Sequence, residues 1–307
     1  MQIERQLPLG GEVYLDHVGY FVEDLEKAGA AFAHLGFTVS PIHVHYNADA
    51  QGNLVAAGTG NRLITFQAGY LEVLAALDPT PLADQLRDAL RRYAGLHLIA
   101  FTHADMLSQR RRLVEAGLDP QPAVRLRRTV QTTEGPKQVA VTVVRARPGS
   151  MPEGRVQLLT HHTPELIWRP GYTVHANHAA ALSDVLVIAQ DPEEASIRFQ
   201  RFSGCPGKRQ GDLQWVALHR GRVSFASPTA AHGWLPALNI PSLPYVAAVA
   251  LRSSDLALTR AFFARPDTAA AFDSDAGLGV APREGMGAYL FFHDTRGGAP
   301  WNPVDTG

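Results

Sequence analysis

Residues 15–37 read LDHVGYFVEDLEKAGAAFAHLGF, and residues 182–204 read LSDVLVIAQDPEEASIRFQRFSG. Set side by side without a gap, Leu15, Val18, Phe21, Asp24, Ala28 and Phe32 meet Leu182, Val185, Ile188, Asp191, Ala195 and Phe199. Each segment is a short apolar strand, an acidic break, and then apolar positions at helical spacing. Asp24 and Asp191 suit helix N-caps, and Gly36 and Gly204 suit helix ends. Self-similarity of this length outranks any local reading of the chain. Two weaker copies begin at Gly95 (GLHLIAFTHADMLSQRRRLVEAGL) and Tyr245 (YVAAVALRSSDLALTRAFFA), with Asp105 and Asp255 standing where Asp24 stands.

Strand-like runs follow each copy and end alike: YLEVLA from Tyr70, RVQLLT from Arg155, RVSFAS from Arg222 and YLFFHD from Tyr289. The repeating unit is therefore strand, helix and about three strands, and four units fit, at roughly 13–76, 94–168, 180–230 and 244–295. One such unit leaves a sheet face uncovered, so units should pair to bury it. The Pro-rich stretches TPELIWRPG from Thr163 and PALNIPSLP from Pro236 read as connectors. The expectation is an α+β protein of four βαβββ units paired into two cupped-sheet domains, 1–168 and 180–307, with the boundary near 169–180.

Composition narrows the function classes. A 307-residue chain that is 46% hydrophobic and 19% charged has ample material for a core. With 28 basic and 29 acidic residues it lacks the basic excess that nucleic-acid binding uses. A single cysteine, Cys205, excludes an intrachain disulfide framework and a CxxC metal site. The N-terminus has no basic segment followed by an apolar run, and no stretch of about 18 apolar residues would span a bilayer. A cytoplasmic protein with a small-molecule partner and no nucleic-acid or membrane partner is expected, and a homodimer stays open.

The paired βαβββ units resemble the vicinal oxygen chelate superfamily, which includes glyoxalase I, bleomycin-resistance proteins and extradiol dioxygenases. LDHVGYFVEDL resembles that superfamily's first strand and helix start. GTGNRLITF from Gly58, YLEVLA, and HHTPELIWRPGYTVHANHA from His161 resemble its glyoxalase-like branch. The resemblance implies that two units close into a cup around a divalent metal, whose ligands come from the first and last strand of each unit. Carried over residue by residue, that gives His17 and Glu72 in unit one and Gln157 in unit two. The unit-two first-strand position is either Leu98, counting back from Asp105, or His97, if a one-residue bulge intervenes. The implied metal set is thus His17, Glu72, His97 and Gln157, with Fe, Mn, Ni and Zn all open. Such an ion polarises a carbonyl or stabilises an enediolate, and Glu72 or a neighbouring His would double as the catalytic proton carrier, with Glu72 the first candidate.

The C-terminal pair lacks this set. Asp184 and Ala248 stand at the His17 position, and Ser224 and Phe291 at the Glu72 position. That pair should be metal-free, which counts against ring cleavage, because the four-unit extradiol enzymes it resembles hold iron there. Substrate contacts are expected from His45, Asn61, Arg62, His162, Trp168 and His175. The plain alternatives are a surface arginine for Arg62, a solvent-exposed pair for His43 and His45, hydrogen-bonded bridges between the domains for His162 and His175, a structural histidine for His97, and for His17 a core histidine bonded to a backbone carbonyl. The implied function is a metal-dependent lyase or isomerase acting on a small oxygen-rich molecule. The alternative is a non-catalytic binding protein in which Trp168, Tyr172 and Phe66 matter more than His17.

Overall fold

The computed structural model describes residues 5–48, 54–132, 134–283, 286–294 and 298–302. Unit one runs β1 (Val13–Phe21), α1 (Leu25–His34), β2 (His43–Ala48), β3 (Leu54–Thr65) and β4 (Tyr70–Ala76). A connecting helix α2 (Pro81–Leu90) leads to unit two: β5 (Gly95–His103), α3 (Met106–Glu115), β6 (Val124–Thr132), β7 (Gly135–Arg145) and β8 (Arg155–His161). Unit three is β9 (Ala179–Ile188), α4 (Pro192–Ser203), β10 (Gly207–Gln210), β11 (Leu213–Ala217) and β12 (Arg222–Ala226). After helix α5 (Pro228–Trp234), unit four is β13 (Tyr245–Ser253), α6 (Leu256–Phe263), β14 (Phe272–Ser274), β15 (Gly277–Val280) and β16 (Tyr289–His293).

The four aspartates do the work that their spacing predicts. Asp24 accepts from the Glu26 and Lys27 amides, Asp105 from Leu107 and Ser108, Asp191 from Glu194, and Asp255 from Leu258, all at 2.8–3.2 Å. Each such cap satisfies amides that the first helical turn leaves orphaned and is worth about 1 kcal/mol. Gly204 closes α4 in the left-handed conformation. Helices α2 and α5 were not expected; in each a Thr-Pro or Ser-Pro start places the cap at Thr80 or Ser227 and Pro at the first helical position.

In every unit the opening strand pairs in parallel with the closing strand, and the register is shared. His17 faces Tyr70, Leu98 faces Arg155, Asp184 faces Arg222 and Ala248 faces Tyr289. Two residues further along the closing strands lie Glu72, Gln157, Ser224 and Phe291, so Leu98, not His97, is the counterpart of His17. Units one and two join through antiparallel β1–β5 and a single β2–β6 pairing, Tyr46 with Arg127. The order β1-β4-β3-β2-β6-β7-β8-β5, returning to β1, is therefore a closed ring. Units three and four join through β9–β13, but β10 and β14 have no partner across the gap among the described residues.

The four helices α1, α3, α4 and α6 pack on the outside of the sheet in one shared core. Phe32 of α1, Leu113 of α3, Phe199 and Phe202 of α4 and Phe263 of α6 all lie in it, at most 2% exposed. Phe37 packs against Phe292 with ring centroids 6.2 Å apart, which ties unit one to unit four. The insides of the two cups differ. The C-terminal one is filled by Leu235, Tyr289, Phe291 and Trp301. The N-terminal one holds a cavity of about 140 Å3.

Candidate functional site

Strand alternation puts every second residue of the ring into the cavity. The lining takes His17 from β1, His45 from β2, Thr59 and Asn61 from β3, and Tyr70 and Glu72 from β4. Unit two adds Leu98 from β5, Arg128 from β6, Val141, Val143 and Arg145 from β7, and Arg155, Gln157 and Leu159 from β8, while Leu82 and Leu86 of α2 complete it.

His17 is held by its neighbour. The β1–β5 register slips by one residue between Leu15 and His17, which leaves Asp16 as the extra residue of a bulge. The fully buried Asp16 lies 2.7 Å from Nδ1 of His17 through Oδ2 and 2.9 Å from Nε2 of His161 through Oδ1. Burial works against a charge on Asp16, but the two imidazoles outweigh it and hold the carboxyl well below its usual range. An ionised carboxylate only accepts, so His17 donates from Nδ1 and His161 from Nε2. That leaves Nε2 as the nitrogen of His17 turned toward the cavity and Glu72. The ring is further fixed by stacking on Tyr70 at 4.3 Å between centroids.

Facing that nitrogen is Glu72, with Oε2 3.6 Å from His17 Nε2. Its other oxygen accepts from Asn61 Nδ2, and Asn61 Oδ1 in turn accepts from Arg128 Nη1 at 3.0 Å. Asn61 therefore aims Glu72, and Arg128 aims Asn61. Burial, then the nearby Asp16 and Glu72 charges, push the Tyr70 phenol far above its usual range, so it remains a neutral donor. His45, which bonds Thr59 Oγ1 at 3.0 Å, has its pKa lowered mainly by burial and sits neutral in the wall.

The residues present do not fit a resident divalent cation. His17 and Glu72 come within one ion's reach, but catalytic sites generally use three protein ligands. The third place holds the weak amide of Gln157, and the fourth holds the apolar Leu98. Among the described residues no group of three His, Cys, Asp or Glu side chains converges on one point. The arginines of the lining also oppose a second positive charge.

Several expected site residues lie elsewhere. His97 points away from the cavity, bonds the Tyr93 carbonyl from Nε2 at 2.8 Å and stacks on that ring at 4.0 Å. Arg62 clamps α1 to the sheet: it donates to the Leu25 and Ser40 carbonyls at 3.0 Å and pairs with Glu26. Its guanidinium passes over Gly29, where any Cβ would collide with it at 2.8 Å, which accounts for a glycine inside α1. His162 is exposed and bonds Thr142 Oγ1. His175 joins the Thr38 amide to the Thr65 carbonyl in the core between Phe37 and Phe66. Trp168 packs behind the cavity against Tyr70 and His161 rather than lining it. Sequence reasoning missed Asp16, Tyr70, Arg128, Arg145 and Arg155.

Comparison with known proteins agrees with this architecture. The model of a family described as the glyoxalase-like domain matches residues 15–202, more than half of the chain. No curated protein sequence matches. A hypothetical protein from Staphylococcus aureus is similar in structure, with a TM-score of 0.64 at 9% identity over 92% of this chain and 99% of its own. A triple mutant of 4-hydroxymandelate synthase from Streptomyces coelicolor reaches 0.53 at 14% identity over 94% of this chain and 95% of its own. Catechol 2,3-dioxygenase reaches 0.52 at 11% identity, over 93% and 90% respectively. At these identities the likeness is one of fold. No helix among the described residues is long and apolar enough to cross a membrane.

Proposed function

Taking as premise that this chain belongs to the glyoxalase-like domain family, we propose that its N-terminal cup is the active site of a lyase or isomerase that moves a proton without a resident metal. The observation that carries the reading is the His17–Glu72 pair. An imidazole nitrogen and a carboxylate oxygen face each other across 3.6 Å, with Asp16 holding the Nδ1 side of His17. Two such groups, turned to one cavity, are the pair that proton abstraction and return require.

A carbon acid entering the cavity would give its proton to Glu72, which Asn61 orients, or to His17. The residue that took the proton would return it to a neighbouring atom, so the shift conserves protons and electrons and needs no oxidant. Tyr70, whose O–H is given to Asp16, stacks on His17 and would hold that ring in place during the transfer. The apolar wall from Leu98, Val141, Val143 and Leu159 keeps water away from that intermediate.

The test is hydrogen–deuterium exchange, followed by NMR, on a panel of small carbonyl compounds incubated with the protein in heavy water. Wild type should label a carbon next to a carbonyl, and Glu72→Gln should lower the rate by about 100- to 10,000-fold, the usual contribution of a positioned base. Exchange that survives both Glu72→Gln and His17→Ala would exclude the pair. A protein that binds compounds but labels none would be a binding protein of the bleomycin-resistance kind.

A further inference from the structure

We propose that the cavity takes a small organic anion of about the size of a benzene ring, its charged oxygens seated between Arg145 and Arg155. The proposal rests on the reading of this cavity as a site and adds the class of molecule it accepts.

The side chains that line the cavity include four arginines, Arg127, Arg128, Arg145 and Arg155, against one carboxylate, Glu72. Glu72 lies within electrostatic reach of Arg128, Arg145 and Arg155, and its one charge offsets only one of theirs. Arg127 is exposed, and Arg128 gives an Nη1 bond to Asn61 at the Glu72 side of the cavity. The other two have no ion-pair partner among the described residues. Arg145 has a buried Nε without an acceptor. Arg155 gives one Nη2 bond to Gln85 at 3.2 Å and lies over the Phe21 ring at 5.4 Å, which leaves the rest of its donors free for a ligand.

The sheet brings these donors together. Arg145 pairs with Gln157 across β7 and β8, and Arg155 is two residues from Gln157 on the same strand face. An anion there meets two guanidinium forks and an amide, the geometry that suits carboxylate or phosphate oxygens. Burial, then the neighbouring Arg145 charge, push Arg155 down to about 10, as expected for like charges awaiting a counterion. The volume is close to the ~150 Å3 that holds one benzene ring, and the wall beside these arginines is largely apolar, with Leu98, Val141, Val143 and Leu159. The ligand body is therefore apolar and compact.

Titration calorimetry with benzoate, phenylphosphonate and neutral benzamide tests this. Benzoate or phenylphosphonate should bind at millimolar concentration or better, and whichever binds tighter identifies the anionic group. Benzamide should bind at least about tenfold more weakly, and Arg145→Gln should cost about 10- to 100-fold in anion affinity, the range for a charge-assisted bond. Arg145→Lys should recover part of that loss. Glu72→Gln removes a like charge and should hold or tighten the anion, which separates this proposal from the catalytic one. Anion binding without any proton exchange would sink only the catalytic reading. Equal affinity for benzamide, indifference to Arg145→Gln, or no binding of either anion would overturn the anion site.

Discussion

The two cups of this molecule are built on one register and come to opposite ends. In the N-terminal cup His17 faces Tyr70, with Glu72 two residues on; in the C-terminal cup Asp184 faces Arg222, with Ser224 two residues on. Even the bulge recurs, at Asp16 in β1 and at Ser183 in β9. In the C-terminal cup the polar groups satisfy one another. Asp184 accepts from Arg222 Nε at 2.7 Å, Ser224 Oγ at 2.9 Å and Trp301 Nε1 at 2.8 Å, and Trp301 and Phe291 fill the interior. In the N-terminal cup the charges stand on separate walls, and the arginines of unit two do not reach the carboxylate of unit one as hydrogen-bond partners. A cup becomes a core when its charges pair internally and a site when they do not.

Replacing Asp184 by Ala attacks that contrast hardest. It strands a half-buried guanidinium and the Trp301 N–H, so unfolding free energy should fall by about 3–5 kcal/mol, while benzoate affinity in the other cup stays as in wild type. Denaturant unfolding and calorimetry read the two effects. If Asp184→Ala is harmless to stability, the C-terminal cup is not held by its internal pairing.

Arg62→Ala should cost about 1–3 kcal/mol, since it leaves the Leu25 and Ser40 carbonyls without their donor. It should leave anion affinity unchanged, and a large loss of affinity would return Arg62 to the site.

The smallest effect concerns acid. Burial lowers His43, His97 and His175 to about 4, below the ordinary 6.5. A base depressed in the folded state contributes stability that is present above pH 6.5 and lost as pH falls toward about 4. Stability should therefore decline through that window. His97→Phe, which keeps the stack on Tyr93, should flatten part of the slope, and an unchanged slope would exclude His97 as a contributor. Proton exchange, by contrast, should not respond to this variant, because His97 does not line the cavity.

Much of the fold was legible because it depends on local signals. The aspartate caps, the 3.6-residue spacing of α1 and α4, and the closing strands gave four units at nearly their observed limits. The shared register also made Asp184 and Ala248 identifiable as the counterparts of His17. The site was legible only in part. Glu72 was reachable from the repeat, but Arg145 joins Gln157 through a cross-strand pairing about a dozen residues away, which no period along the chain reveals. Arg128 comes to Asn61 from another unit altogether. Asp16 stood beside His17 in plain view, yet a regular strand would have turned it to the opposite face, and only the bulge brings the two together. His97 misled in a related way: it is the extra residue of a bulge in the β1–β5 ladder, yet the β5–β8 register still puts Leu98 opposite Arg155, and the His97 ring turns back to Tyr93.

The central claim is that Asp16 fixes His17 as a proton acceptor facing Glu72, in a site that does not hold a metal of its own. Long-range proton–nitrogen NMR of the histidine rings, with His17 assigned from a His17→Gln spectrum, tests it directly. Nδ1 of His17 should carry the proton that Asp16 accepts, and one equivalent of Zn2+ should leave the Nε2 signal unmoved. A proton on Nε2 with Nδ1 bare, or an Nε2 signal that shifts stoichiometrically with Zn2+, would contradict the account.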